Sequence, residues 1–336
     1  MHQPTFTFSC GEYKRTRPLL DGRVQPKGFR LKVISDPFPE QEMLGDYQHT
    51  RNQRMVMDKA YDICEMGMAP FLSARAGGAP LVAVPVFHYR RFRHGYIFCR
   101  EDAGIQRPQD LIGRRVGVRR LNLTAGVWAR ALLEHEYGVP LDRIVWVVSV
   151  DVPLRPEVRD RLVIETAPSN QTMESLLMGG ELDAMIEASD VSGPAQGNRR
   201  IRRLLGEDTR DLEVDYYTRT RIFPIMHTVV LWTEILGQFP DLPQQLHQGF
   251  LEAKEMGARD RDLPLRYILA EEERQWWNSL TDGQRQTLQR GGDPWIYSVR
   301  EDQKTVETLL DYAYEQGLTP TRYGIEDLFA ASTLNL

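Results

Sequence analysis

The sequence predicts an α/β protein built as two lobes, and three observations predict it. A chain of 336 residues exceeds what one small core organises and suits two units of ordinary domain size. Up to about Trp232, short apolar runs alternate with helical periodicity across brief Gly-marked links, the pattern of mostly parallel sheets covered by helices. From Asp241 the character changes to helices, through Trp276-Trp277 and on to Gly317.

Phe6–Cys10 alternates apolar and polar as a first strand, Gly11–Arg17 reads as a loop, and Asp21-Gly22 signals a turn. A second strand is expected over Arg30–Ser35, a helix over about Gln41–Lys59, and a third strand over Tyr61–Glu65. Gly67–Pro70 ends that strand as a cleft loop. Leu81–Phe87 and Tyr96–Cys99 are buried strands. Asp110–Val118 supplies a turn and a short strand, and Thr124 reads as the N-cap of a helix closed by Gly138. Ile144–Val150 is an apolar strand, and Asp151–Arg161, rich in Pro and Arg, a long loop. Gln171–Met178 is helical, stopped by Gly179-Gly180, and Leu182–Glu187 is a strand.

Composition narrows the function. A net charge of −5 argues against general nucleic-acid binding, which needs a basic field. No apolar run approaches the roughly 20 residues of a membrane span. The start lacks the charged and apolar regions of a signal peptide. Cys10, Cys64 and Cys99 are odd in number, without metal-like spacing, and read as reduced packing residues. The expected location is cytoplasmic. There is no His-Glu-x-x-His or paired-Cys motif, no Gly-x-Ser-x-Gly elbow and no phosphate loop.

Two stretches carry chemistry. Between the strands Leu81–Phe87 and Tyr96–Cys99 lie His88, Arg90, Arg91, Arg93 and His94, interleaved with Tyr89 and Phe92. Cations with aromatics to exclude water suit a carboxylate-bearing aromatic ligand, although charge runs commonly just face solvent. In Tyr216–Trp232, Arg219, Arg221 and His227 again lie beside an apolar strand. A lone His on an apolar face is more often a hydrogen-bonded core residue. Two His-bearing, Arg-rich strands favour one shared site. Glu65 and Glu187 sit near strand ends as acid–base candidates, and a helix start at Thr124 favours an anion.

These residues resemble the 4,5-dihydroxyphthalate decarboxylase family. The resemblance rests on Arg15–Gly22, Asp62–Met66, Pro85–Phe87 with Phe92-Arg93-His94, and Asp110–Val118. It continues through Thr124-Ala125 with Trp128 and Arg130, Gly180–Ala184, Thr220–His227 and Glu315–Leu318, in order along nearly the whole chain. Phe-Pro-Ile-Met-His and Phe-Arg-His are its specific parts. The chain departs from the pattern at Lys14, Gly67, Arg119–Leu123 and Ser149-Val150.

The resemblance implies a two-lobed type II periplasmic-binding-protein-like fold with an interlobe ligand cleft. Residues 1–93 with 231–336 would form one lobe and 94–230 the other. It implies cofactor-independent, non-oxidative decarboxylation of a hydroxylated aromatic carboxylate such as 4,5-dihydroxyphthalate, with no metal or organic cofactor. The implied roles are His94 or His227 for proton transfer and Glu65 to orient a His or accept a phenolic proton. Arg17, Arg93 and Arg221 would bind carboxylates, with Thr124 and Trp128 also at the substrate. The partner is a small aromatic carboxylate, with no nucleic acid and no membrane, and a homo-oligomer is left open. The alternatives are a non-catalytic solute-binding protein or sensor for a small carboxylate, and another cytoplasmic enzyme on the same fold.

Overall fold

In a computed structural model of the chain, the structure describes residues 3–34, 50–189, 200–259, 268–289 and 292–336. The chain divides into two compact units. Unit 1 comprises Met1–Arg91, Ile225–Glu307 and Tyr323–Leu336; unit 2 comprises Phe92–Pro224 and Thr308–Arg322.

Eleven strands are present among the described residues. They are β1 (Thr5–Ser9), β2 (Arg30–Val33), β3 (Ile63–Gly67), β4 (Leu81–Val84), β5 (Ile97–Arg100), β6 (Arg115–Val118), β7 (Val145–Val148), β8 (Val163–Thr166), β9 (Ala184–Ile186), β10 (Ile201–Arg203) and β11 (His227–Trp232). Unit 1 holds a sheet of order β2-β1-β3-β11-β4, and unit 2 a sheet of order β10-β5-β9-β6-β7-β8. In unit 1, β1 runs parallel to β2 and β3, while β11 enters antiparallel between β3 and β4. That insertion explains why the segment from Ile225 belongs with unit 1. The Leu328–Ala330 segment bonds to Ala83 along the other side of β4.

Side-chain alternation builds both cores. In unit 2, Val116 and Val118 of β6, Trp146 and Val148 of β7, and Ala184 and Ile186 of β9 share one apolar cluster. Their alternates Val147 and Met185 join a second cluster with Met173 and Leu182. Gly117 has that alternate place in β6, and a Cβ there would meet Met173 Sδ at 2.9 Å. In unit 1, Phe6, Phe8, Ile63, Val82, Val84, Val86, Val229 and Leu231 pack under the helix Leu242–Arg259 through Leu246, Phe250 and Ala253.

Several elements differ from the sequence reading. Gly67–Pro70 is no loop: the helix Met68–Ala76 starts directly after β3, with Gly67 as its N-cap. Pro70 fits because it falls in the first turn, where its missing N–H has no helical acceptor. Leu123, not Thr124, is the N-cap of the helix Thr124–Ala131, and no side-chain capping bond is made. A short helix, Pro156–Arg159, lies inside the expected long loop. The helix Arg210–Thr220 fills a stretch where no helix was expected. Of the helix expected at Gln41–Lys59, residues 41–49 lie outside the described residues, and Arg51–Val56 is helical.

The helix Leu242–Arg259 touches the Lys14-Arg15 backbone through Gly257. A Cβ at 257 would overlap the Lys14 carbonyl oxygen and lie 2.9 Å from its carbon. Alanine elsewhere in a helix gains about 1 kcal/mol over glycine. Here Gly257→Ala is expected to destabilise by about 1–3 kcal/mol, because the obstacle is backbone. Urea unfolding of the full chain measures the sign.

Candidate active site

The alternation that builds the unit 1 core continues past the strand ends as a polar cluster. Phe6 and Phe8 are followed at the same parity by Cys10, Ile63 by Glu65, and Val82, Val84 and Val86 by His88. On β11, His227 shares the parity of Val229 and Leu231. These positions gather at the carboxyl ends of the parallel strands, where α/β sheets place ligands. His227 pairs across from Gly67 and Glu65 from Val229, so the two side chains are diagonal neighbours, and the residue opposite the imidazole has no side chain.

Glu65 is the hub. It is buried, and five groups converge on its two oxygens. Oε1 accepts from the Tyr13 hydroxyl at 3.0 Å and lies 2.9 Å from His88 Nε2 and 2.5 Å from His227 Nδ1. Oε2 accepts from the Gly11 N–H and from Arg51 Nη1 at 2.8 Å. Arg51 is delivered by the helix Arg51–Val56, whose start is a capping box of Thr50 and Gln53.

Electrostatics fix the protonation states. Burial works to raise the Glu65 pKa, but His88, Arg51 and His227 outweigh it and hold the carboxyl well below its usual range. Burial lowers the His88 pKa against the pull of Glu65. His88 Nδ1 is buried and has no hydrogen-bond partner among the described residues, so the proton sits on Nε2, facing Glu65. His88 is then a neutral donor, and Arg51 supplies the permanent charge that keeps Glu65 ionised. An ionised Glu65 places the proton of its contact with His227 on Nδ1.

The two histidines differ in access. The His88 side chain is 0% exposed, stacked on Phe250; that of His227 is 20% exposed. Tyr89 packs against the His227 ring at 5.1 Å and against Tyr13 at 5.7 Å. Behind the cluster, Arg15 donates through Nε to the His88 carbonyl at 2.5 Å and through Nη2 to Glu273 Oε1 at 2.8 Å. Trp295 donates to the same Glu273 oxygen at 2.8 Å.

Cys10, Glu65 and His88 bring one ligand atom each within 4.8 Å of one another. A cation there would sit beside the Arg51 guanidinium, and the Cys10 thiol is pushed well up by burial and by Glu65. The charges favour a protonated hydrogen-bond network over a metal.

Among the described residues, the others singled out from the sequence make no hydrogen bond or ion pair with Glu65 and lie within their own units. Arg17 opens a short helix in unit 1 and pairs with Glu12 at 3.6 Å. In unit 2, His94 is buried in a 3₁₀ turn against Phe92 and Tyr216. Burial, aided by the charge of Arg219, lowers its pKa to about 4. Arg93 is buried and donates to the Ala188 carbonyl at 2.8 Å. Arg221 is exposed, in left-handed conformation just after the helix Arg210–Thr220. Thr124 and Trp128 are buried in the helix Thr124–Ala131, with Trp128 edge-on to Tyr312. The structure thus brings together Glu65 and His227 and adds His88, which the sequence reading placed in its basic stretch without a role, and Arg51 and Tyr13, which it did not single out. Parity pointed to His88, since it continues Val82, Val84 and Val86; Thr50-x-x-Gln53 marked the helix start that delivers Arg51.

Residues 44–152 match the family model described as NMT1/THI5 like. The chain is 31% identical to the 4,5-dihydroxyphthalate decarboxylase of Comamonas testosteroni, over 99% of this chain and 98% of that one. It is 33% identical to the 4,5-dihydroxyphthalate decarboxylase of Pseudomonas putida, over 65% of this chain and 83% of that one. Among solved structures it superposes on the periplasmic aliphatic sulphonate binding protein SsuA of Escherichia coli. That match has a TM-score of 0.53 at 16% identity and covers 100% of both chains. The fold is type II periplasmic-binding-protein-like. With a relative this similar along almost the whole of both chains, the protein belongs to the 4,5-dihydroxyphthalate decarboxylase family.

Proposed function

We propose that the protein is a carboxy-lyase acting on a hydroxylated aromatic dicarboxylate such as 4,5-dihydroxyphthalate, with His227 as the proton donor. One observation carries the assignment: a partly exposed imidazole has its Nδ1 proton held at 2.5 Å by a buried, ionised carboxylate. That arrangement fixes the ring's tautomer and orientation.

In the step proposed, a phenol para to the departing carboxylate pushes electron density into the ring. The ring carbon bearing that carboxylate takes a proton from His227 Nε2. The bond to the carboxylate carbon then breaks, its electron pair restores the aromatic ring, and CO2 leaves. The net change is one proton taken up and one CO2 released. Glu65, already engaged by five donors, acts as the positioning group for His227. Arg17, also in unit 1, is the candidate for a carboxylate contact. The reading uses unit 1 residues alone and places the enzyme in the cytoplasm, in line with three cysteines present as thiols. Among the described residues, no helix is long and apolar enough to cross a membrane.

Incubation of the purified chain with 4,5-dihydroxyphthalate should release one CO2 per molecule consumed, leaving 3,4-dihydroxybenzoate. In D2O the product should carry one deuterium on the ring. Binding without CO2 release would sink the reading in favour of a solute-binding module. Turnover is also expected to survive exhaustive chelation, because Arg51 opposes a cation at the cluster. Activity lost to a chelator and restored by one divalent ion would overturn that.

A further inference from the structure

The proposed reaction raises a question of selectivity. In 4,5-dihydroxyphthalate each carboxylate lies para to a phenol, and the product keeps one such pair. Nothing in the ring chemistry stops a second loss of CO2. A site that stops after the first must therefore read the neighbouring carboxylate, and it needs a donor near His227 that Glu65 does not already engage.

Asn52 meets that need. It follows Arg51 in the helix Arg51–Val56, and the two side chains go to positions of one parity on β3, Arg51 to Glu65 and Asn52 to the backbone of Gly67. Asn52 Oδ1 accepts from the Gly67 N–H at 3.1 Å. A backbone N–H can only donate, so the amide is fixed with Nδ2 turned away from it. Asn52 is half-buried, and its Nδ2 has no hydrogen-bond partner among the described residues. A neutral donor suits this place: a second cation beside Arg51 would compete for Glu65, whereas an amide offers two N–H groups and no charge.

The sheet register brings that amide near the imidazole. Gly67 lies opposite His227, and in the adjoining pair the Met68 N–H donates to the Met226 carbonyl at 2.9 Å. Gly67 and His227 are thus a non-hydrogen-bonded pair, with Cα atoms about 4.5 Å apart. The Gly67 N–H points away from β11, toward Asn52, which leaves the amide oxygen within about 9 Å of the His227 Cα. Gly67 has φ −59° and ψ 138°, a conformation open to any residue. The backbone does not require glycine there; its missing side chain leaves room on the Glu65 face, next to the His227 ring.

We infer that Asn52 Nδ2 is a specificity-determining donor. It binds the carboxylate that the substrate retains, ortho to the carbon that His227 protonates, and so makes an aromatic ortho-dicarboxylate the preferred ligand. The consequence for turnover, one CO2 and no more, rests on the decarboxylase reading; the binding preference does not.

The test is calorimetric titration of the full chain with phthalate and benzoate, which lack the phenols and are not turned over. The parent should bind phthalate about 10-fold or more tightly than benzoate. Asn52→Asp keeps the acceptor for the Gly67 N–H but turns the donor into an anion. Phthalate affinity should then fall by about 100-fold and benzoate affinity by far less. Asn52→Leu should lower phthalate affinity by about 10–100-fold, the worth of one hydrogen bond to a charged group, and leave benzoate within a few-fold. With 4,5-dihydroxyphthalate, both variants should raise KM and hold kcat within a few-fold. If Asn52 only holds the Gly67 backbone, the Asp variant keeps parental affinity, and that result overturns the inference. A parent without a preference for phthalate overturns it too, as does a Leu variant, folded by its urea midpoint, that weakens both ligands alike. A preference lost in the variants of a chain that releases no CO2 would remove the decarboxylase reading and leave Asn52 in its role. CO2 release with the preference untouched would do the reverse.

Discussion

Glutamine in place of His227 lowers kcat for CO2 release by about 10²–10⁴-fold and changes substrate affinity little, the signature of a lost general acid. The amide can still reach Glu65, so shape and much of the hydrogen bonding persist, but no titrating proton remains. His94→Gln is the contrast. His94 is buried with a pKa near 4, neutral at working pH, and its Nδ1 has no hydrogen-bond partner among the described residues. Its replacement should leave kcat within a few-fold of the parent. Full turnover in the His227 variant, or a collapse in the His94 variant alone, would transfer proton delivery away from the Glu65 cluster.

Glu65→Gln produces the largest effect on stability, a loss of about 3–5 kcal/mol, because it leaves the Arg51 guanidinium buried without its counter-charge. The sign of its pH dependence follows from the carboxyl. Its folded pKa lies well below its unfolded value of about 4.3, so its stabilisation is complete above that value and is lost as pH falls through the folded pKa. Parent and variant should therefore differ most near neutrality and converge on acidification. Urea midpoints from neutral to acidic pH measure this. A constant gap across the range would show that Glu65 acts through shape alone. The same variant should lose turnover, since it removes the group that aligns His227.

Much of this was legible in the sequence because alternation is a local signal. Phe6–Cys10, Leu81–Phe87 and Ile144–Val150 announce strands from their own residues, and the family motifs sit on or beside them. Glu65 was singled out because it lies near a strand end, and His227 because it lies beside an apolar strand and closes a family motif. Their partnership was not readable: it depends on β11 entering antiparallel beside β3 in one register, across a separation of 162 residues. His88 was hidden by its own neighbourhood. Among Arg90, Arg91 and Arg93 it looks like part of a charge run, yet Arg90 is spent on a buried ion pair with Asp302 and Arg93 on a backbone carbonyl. The helix Arg210–Thr220 escaped because its apolar face is weak and its sequence is dominated by charge.

The place of β11 also governs how the chain must be made. β4 has two flanks in the finished sheet, one closed by β11 and the other by Leu328–Ala330. Both segments follow it by more than a hundred residues. During synthesis an apolar strand, Leu81–Val84, waits with both hydrogen-bonding edges open, as does the β11 side of β3. Open edges of this kind recruit other chains. Unit 1 cannot finish on the ribosome ahead of unit 2, because its own last strand is translated after almost all of unit 2. The expected consequence is a yield limited by nascent-chain aggregation, so that slower translation or added holdase chaperone should raise soluble protein more than stabilising the finished fold does.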